Sequence, residues 1–117
     1  MKIGILLCSS PESQDGHTVG RLAEGLLAGG HQLSVFLMDD GVYHAARHAG
    51  PAAPGKPGYS ALDLAGLIER GAKVALCAVT AKARGVAESQ LYPAVEWSSQ
   101  YELAQIVKES DRFLAFG

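Results

Sequence analysis

Short runs of apolar residues alternate along this chain with segments in which apolar residues recur every three to four positions. The longest runs are Lys2–Cys8, Gln32–Met38 and Lys73–Cys77, and runs of this kind predict strands that are covered on both faces of a sheet. Two shorter runs, Val95–Trp97 and Arg112–Phe116, predict two further strands. The pattern therefore predicts five strands separated by helical or loop segments.

The first helical pattern begins at His17 and ends at Gly29-Gly30, a pair that is typical of a helix C-terminus. Two more helices are predicted by capping boxes, one formed by Ser60 and Asp63 and the other by Ser99 and Glu102. Asp39-Asp40-Gly41 interrupts the second strand, and Val42–Arg47 is predicted to be helical. The inward-facing positions of the last helix are predicted to be Leu103, Ile106 and Val107.

Strands that alternate with helices predict right-handed βαβ units and a parallel sheet. We therefore expect an α/β fold, with a three-layer, doubly wound sheet of about five mostly parallel strands, in a single domain that spans residues 1–117. Such short domains often have the strand order 2-1-3-4-5 and bind ligands at the carboxyl ends of the strands. This order places the strands of Cys8 and Cys77 side by side, about 4.8 Å apart, so the two thiols are predicted to be neighbours.

Composition narrows the classes of function. The chain has 117 residues, 48% of them hydrophobic, and a net charge of −2, which fits a globular domain without a basic surface for nucleic acid or membrane lipids. Two cysteines are too few for a disulfide framework, and they fit a reducing cytoplasm. No run reaches the roughly 20 apolar residues of a membrane helix, and Ile3–Cys8 is too short for a signal core. We expect a cytoplasmic protein.

Cys77 is the candidate for chemistry. It lies where the third predicted strand passes into a helix, and the free N–H groups at a helix start favour the thiolate, the nucleophilic form of cysteine. Lys82 and Arg84 follow closely and can assist, although such residues are more often solvated surface charges. The simpler interpretation is an inert thiol in the core, because cysteine is among the most buried residue types.

Three stretches carry a resemblance to a known family: the opening strand, Asp40–Tyr43, and Cys77 followed by Ala81, Arg84, Gly85 and Val86. Over nearly its whole length the chain resembles the DsrE-like sulfur-relay family, which includes the DsrE and TusD subunits. The resemblance implies that Cys77 accepts sulfane sulfur as a persulfide and passes it to a partner protein, as a sulfurtransferase in tRNA thiolation or sulfur oxidation. It also implies a three-layer fold and assembly into homo- or hetero-oligomers, as trimers or hexamers.

Several residues are candidates for supporting roles. Cys8 is predicted to be a core residue or, beside Cys77, a thiol that resolves the persulfide into an internal disulfide. Asp40 is most simply part of a turn, Tyr43 can line the pocket, and His17 can assist proton transfer. The proline- and glycine-rich segment Gly50–Tyr59 is predicted to be a loop that covers the site as a lid.

A metal site is a weaker hypothesis. His44 and His48 are four residues apart and would share a helix face, with Asp40 or His17 as a third ligand. No cysteine or glutamate nearby completes the set, so no metal is predicted. The chain also lacks a glycine-rich nucleotide motif, so no cofactor is predicted.

Two non-catalytic functions remain open at this point. One is a binding module that holds a small anion in a crevice beside Ser9, Ser10 and Gly41. The other is a structural subunit of a hetero-oligomer, whose interface would use Leu91, Tyr92, Trp97 and Tyr101.

Overall fold

The computed structural model describes residues 1–47 and 62–117 and shows one parallel sheet with helices on both faces. The predicted α/β fold class is confirmed. The loop Gly50–Tyr59 and the capping residue Ser60 lie outside the described residues. The five strands are β1 (Lys2–Leu7), β2 (Gln32–Leu37), β3 (Lys73–Cys77), β4 (Val95–Ser98) and β5 (Arg112–Phe116).

Within residues 1–47 and 62–117, four α-helices and two 3₁₀ helices connect the strands. The 3₁₀ helices are Asp39–Ala45 and Glu88–Gln90, and the first of them includes most of the segment that was predicted to be helical. Among the described residues, none of these helices is long and apolar enough to cross a bilayer. The α-helices are α1 (Gln14–Ala28), α2 (Leu64–Glu69), α3 (Ala78–Ala83) and α4 (Gln100–Glu109).

Helix α1 begins three residues before the predicted start at His17. The Ser13 side chain accepts a hydrogen bond of 3.1 Å from the Asp15 N–H, which satisfies one of the free donors at the helix start. The predicted end is confirmed, because Gly29 caps the helix and Gly30 has a φ of +82°. The start of α1 is therefore set by the polar cap at Ser13, which lies before the first apolar residue of the helical pattern.

The predicted capping box of α4 is wrong in detail. Ser99 does occupy the N-cap position, but its side chain makes no capping hydrogen bond. The buried side of α4 is also narrower than predicted. Ile106 is buried, with 8% of its surface exposed, whereas Val107 is 49% exposed. A single ten-residue helix packs on its face of the sheet through one side only, which leaves the neighbouring position in solvent.

The predicted strand order is wrong. The observed order is β4-β3-β2-β1-β5, so β2 separates the two strands that end near Cys8 and Cys77. Each step from β1 to β4 moves to the next position in one direction, and only the last connection returns to the other edge. Right-handed crossovers that step the same way place their helices on the same face, and the returning connection places its helix on the opposite face.

The two faces consequently have different cores. The larger core contains buried residues of α1, α2 and α3, such as Val19, Leu64 and Ala81, packed on β1 to β4. The smaller core lies under α4 and consists of Phe36, Ala75, Cys77 and Ile106, with Leu6, Met38 and Leu103 packed against it.

Candidate functional site

Cys77 ends β3 and is the N-cap residue of α3, so the predicted junction between strand and helix is confirmed. Its side chain belongs to the smaller core under α4 and is only 1% exposed. A partner thiol cannot reach the sulfur in this conformation, because an in-line approach needs an open side. The junction of β3 with α3 therefore places Cys77 at the carboxyl edge of the sheet, and the core under α4 buries its side chain.

Two side chains that the sequence did not single out, Met38 and Gln100, contact each other, and Met38 packs against the small core that contains Cys77. The strand register pairs Cys77 with Ser98 of β4, and it pairs Leu76 with Leu37 of β2. The next residue of the β2 segment is Met38, and its Sδ accepts a hydrogen bond of 3.5 Å from Nε2 of Gln100. No local pattern predicts this contact, because it joins residues 62 positions apart in the chain.

The turn after Cys77 is fixed by Thr80. Its hydroxyl donates to the Cys77 carbonyl at 3.2 Å and accepts the Asp39 N–H at 3.3 Å. Asp39 has a φ of +52°, in the left-handed region that aspartate tolerates better than most residues. Thr80 thus ties the end of β2 to the end of β3. A threonine three residues after a strand end, which often bonds back to the backbone, was a signal for this role.

Three residues of the family-like motifs come together beside this turn. The Arg84 guanidinium donates to Asp40 Oδ1 at 2.9 Å, and the Tyr43 hydroxyl donates to the Arg84 carbonyl at 3.5 Å. The hydrogen bond to Asp40 raises the pKa of Arg84, so the guanidinium stays charged. These contacts fasten the end of α3 to the 3₁₀ helix Asp39–Ala45. Lys82 is exposed in the last turn of α3 and has no ion-pair partner among residues 1–47 and 62–117.

Cys8 is not a neighbour of Cys77, contrary to the prediction. It follows β1, and with β2 between them the two strands are about 10 Å apart, beyond the roughly 7 Å between Cα atoms that a disulfide spans. Cys8 is partly exposed, and its N–H donates to the Phe116 carbonyl at 2.9 Å. Burial, and then the negative charge of Asp39, raise the pKa of the Cys8 thiol, which lowers its thiolate fraction.

His44 is buried beside the Cys8 end of the sheet, with 7% of its surface exposed. Its Nε2 lies 3.0 Å from the Ser9 carbonyl, which can only accept, so this nitrogen carries the proton. Burial lowers the pKa of His44 to about 4, and the ring is neutral at neutral pH. The Nε2 is therefore committed to a structural hydrogen bond.

The remaining residues of the metal hypothesis are not assembled by the structure. His17 is exposed on α1, which packs on the face opposite to the one that holds Cys77, so it is not placed near the thiol. His48 lies outside the described residues. Within the described part of the chain, no group of three histidine, cysteine, aspartate or glutamate side chains is arranged to hold a metal ion.

Comparison with known proteins places this geometry in a family. Two uncharacterized archaeal proteins are similar over nearly their whole length. The protein of Methanopyrus kandleri is 33% identical over 115 residues, which cover 97% of this chain and 93% of the relative. The protein of Methanocaldococcus jannaschii is 32% identical over 117 residues, which cover 99% of this chain and 100% of the relative.

Solved structures show the same fold. The YchN protein from E. coli superposes with a TM-score of 0.79 at 27% identity, and the match covers 99% of both chains. A protein of unknown function from Methanobacterium thermoautotrophicum superposes with a TM-score of 0.74 at 16% identity, over 97% of both chains, a likeness of fold alone. The family model of the DsrE/DsrF-like family matches residues 1–116, and the chain therefore belongs to the DsrE/DsrF-like family.

Proposed function

We propose that this protein is a sulfur-relay protein in which Cys77 accepts sulfane sulfur as a persulfide and passes it to a thiol of a partner protein. The observation that carries the proposal is the position of Cys77 in a DsrE/DsrF-like chain. It is the last residue of β3 and the N-cap of α3, at the carboxyl edge of a parallel sheet, where domains of this class bind their ligands.

The contacts around the turn support this role. Thr80 holds the Cys77 carbonyl, and the ion pair of Arg84 with Asp40 fastens the far end of α3. The backbone that presents the thiol is therefore held at both ends of a six-residue helix. Burial and Asp39 raise the pKa of the Cys8 thiol, which lowers the share of Cys8 in the nucleophilic thiolate form at neutral pH.

The transfer follows thiol–disulfide exchange. The Cys77 thiolate attacks the outer sulfur of a donor persulfide, a new S–S bond forms, and the S–S bond of the donor breaks. The donor leaves as a thiolate, and the outer sulfur, with its proton, now rests on Cys77. An acceptor thiolate then attacks that sulfur in the same way and regenerates the Cys77 thiolate. No oxidant or reductant is consumed, because the sulfane sulfur keeps its oxidation state.

The proposal includes partners and assembly. Donor and acceptor proteins supply and remove the sulfur, in the cytoplasm, in a pathway of the tRNA-thiolation or sulfur-oxidation type. The subunits assemble as homo- or hetero-oligomers, in trimers or hexamers. Light scattering that shows a strict monomer at micromolar concentration would count against this part of the proposal.

Mass spectrometry of the intact protein tests the chemistry. After incubation with a persulfide donor such as glutathione persulfide, the wild-type chain should gain one sulfur atom. Cys77→Ser should abolish the gain, and the matched control Cys8→Ser should leave it intact. An unchanged wild-type mass, or loading that survives Cys77→Ser, would contradict the relay function.

A second candidate is a non-catalytic subunit of a hetero-oligomer, and the 1% exposure of Cys77 favours it. Only some of the side chains predicted for this interface are exposed at the surface. Leu91 is buried and Trp97 packs against the larger core, whereas Tyr101 on α4 is 89% exposed. The same mass measurement separates the two functions, because a structural subunit gains no sulfur.

A further inference from the structure

Segments that follow β2 and β4 flank the end of β3, where Cys77 is buried. Strand β3 lies between β2 and β4 in the sheet. Met38 continues the β2 segment directly beside Cys77, because Leu37 pairs with Leu76 in the register. On the other side, Cys77 pairs with Ser98 of β4. A contact between the two flanking segments must therefore cross the end of β3.

Such a contact exists between Gln100 and Met38. Gln100 is the first residue of α4, two positions after Ser98, and its Nε2 donates to Met38 Sδ at 3.5 Å. Met38 and Leu103 both pack against the small core that contains Cys77. Gln100 is three positions before Leu103, so both residues lie on the same side of α4. The hydrogen bond thus spans the carboxyl end of the strand that carries the thiol.

We propose that Gln100 and Met38 form a gate over Cys77, which controls the access of sulfur donors and acceptors to the thiol. The gate rests on the proposed function for its purpose, but its existence is a property of the folded chain that needs no sulfur chemistry. Gln100 and Met38 are positioning residues for access, and neither takes part in bond exchange.

The physical basis of the gate is a weak contact between flexible side chains. Thioether sulfur is a poor hydrogen-bond acceptor, and both side chains have three or more rotatable bonds. The Gln100 side chain lies at the surface, so water competes for its amide. A contact of this strength opens readily, and in the proposed gate the rotation of these two side chains opens the route to the small core without unfolding α4. A partner that binds the exposed amide can shift this equilibrium further.

The rate of Cys77 alkylation by iodoacetamide tests the gate. Cys8→Ser is the parent, so that only one thiol reacts, and the intact mass reports the modified fraction over time. Gln100→Ala should raise the rate constant roughly threefold, as expected when a hydrogen bond at the low end of the usual net strength is lost. Met38→Leu, which keeps the apolar volume but removes the acceptor, should raise it as well.

Gln105→Ala is the matched control. Gln105 is an exposed glutamine on the same helix, and it donates to Glu109 at 2.8 Å, within α4 itself. This variant should react at the parental rate. An unchanged rate in Gln100→Ala or in Met38→Leu would overturn the gate, as would an equal acceleration in Gln105→Ala, which would indicate loosening of the whole helix.

Failure of the gate and failure of the relay remain distinguishable. Alkylation uses no sulfur donor, so a gated but inactive thiol would show the alkylation pattern and no gain of sulfur. An active thiol without a gate would gain sulfur, and its alkylation rate would be the same in all the variants. The thermal unfolding temperatures of Gln100→Ala and Gln105→Ala should shift little, because both side chains are exposed at the surface.

Discussion

Two strands of the sheet end beside a cysteine at the same edge, yet the two ends present very different thiols. Cys8, after β1, is partly exposed, and burial together with Asp39 raises its pKa. Cys77, at the end of β3, is only 1% exposed and lies in the small core under α4. A strand end therefore does not by itself make a reactive thiol. The elements packed against the strand end decide the exposure, the electrostatics and the route by which a partner arrives.

The supports of the two ends differ as well. The β1 end is held by backbone packing and by a buried histidine, because Gly41 lies against Leu7 and His44 donates to Ser9. The β3 end is held by the side-chain hydrogen bonds of Thr80 and by a short helix. Tight backbone packing tolerates little change, whereas side-chain contacts open at lower cost. We therefore expect the first end to tolerate substitution less well than the second.

The largest expected effect comes from Gly41→Ala. A Cβ at this position would lie 2.0 Å from the Leu7 carbonyl oxygen, which is backbone and cannot move aside. We expect the free energy of unfolding to fall by about 3 kcal/mol or more, as for severe overpacking. Urea denaturation followed by circular dichroism measures it.

Gly25→Ala is the control for Gly41→Ala. Nothing lies within 4 Å of the added Cβ, and Gly25 is inside α1. Alanine should therefore stabilise the protein by about 0.5–1 kcal/mol. If Gly41→Ala is as stable as the wild type, the β1 end is not held by close backbone packing, and the contrast between the two ends fails.

A smaller loss of folding stability is expected at acidic pH, where His44 becomes protonated in the unfolded chain. Its folded pKa of about 4 lies below its ordinary value of 6.5, so the unfolded chain binds more protons between these two values. Stability should therefore fall as the pH drops through this range, by about 2 kcal/mol from the His44 contribution between pH 7 and pH 5. Urea denaturation across this pH range measures the slope.

His44→Gln should flatten this slope, because the amide can still donate to the Ser9 carbonyl but does not titrate. His17→Gln makes the same replacement on the exposed face of α1 and is the control for the loss of a histidine elsewhere in the chain. A variant of His44 that retains the wild-type slope would show that another group causes the loss of stability in acid.

The last prediction is that oxidation of the folded protein has no effect on its mass, because the two cysteines are too far apart to form a disulfide. With β2 between their strands, oxidation of the folded monomer by diamide should form no internal Cys8–Cys77 disulfide. The intact mass under native conditions should therefore stay unchanged, while the same treatment in urea frees the chain to form the bond. A native monomer that is two hydrogen masses lighter would contradict the strand order.

Local structure was largely predictable from the sequence. All five strands appear within one residue or so of their predicted bounds, because apolar runs and turn residues act over a few neighbours. The start of α1 was missed because the Ser13 cap is a polar feature outside the apolar pattern. The exposure of Val107 was missed because periodicity indicates a face of a helix without indicating how wide the contact is.

The site was predictable only in part. The motif residues Asp40, Tyr43, Cys77 and Arg84 were identified, and the structure brings the first two into contact with Arg84. Gln100 and Met38 were not identified, since nothing in their local sequence distinguishes them from surface and core residues. Their role comes from a contact across the end of another strand.

The fold class, the family, and the junction at which Cys77 ends a strand and begins a helix could all be read from the amino-acid sequence. These follow from periodicity and from motifs that act along the chain. Long-range packing sets the two-strand separation of Cys8 from Cys77, the burial of His44 against Ser9, and the contact of Gln100 with Met38. Each of these depends on strand order and register, which are set by packing between residues far apart in sequence and leave no local pattern.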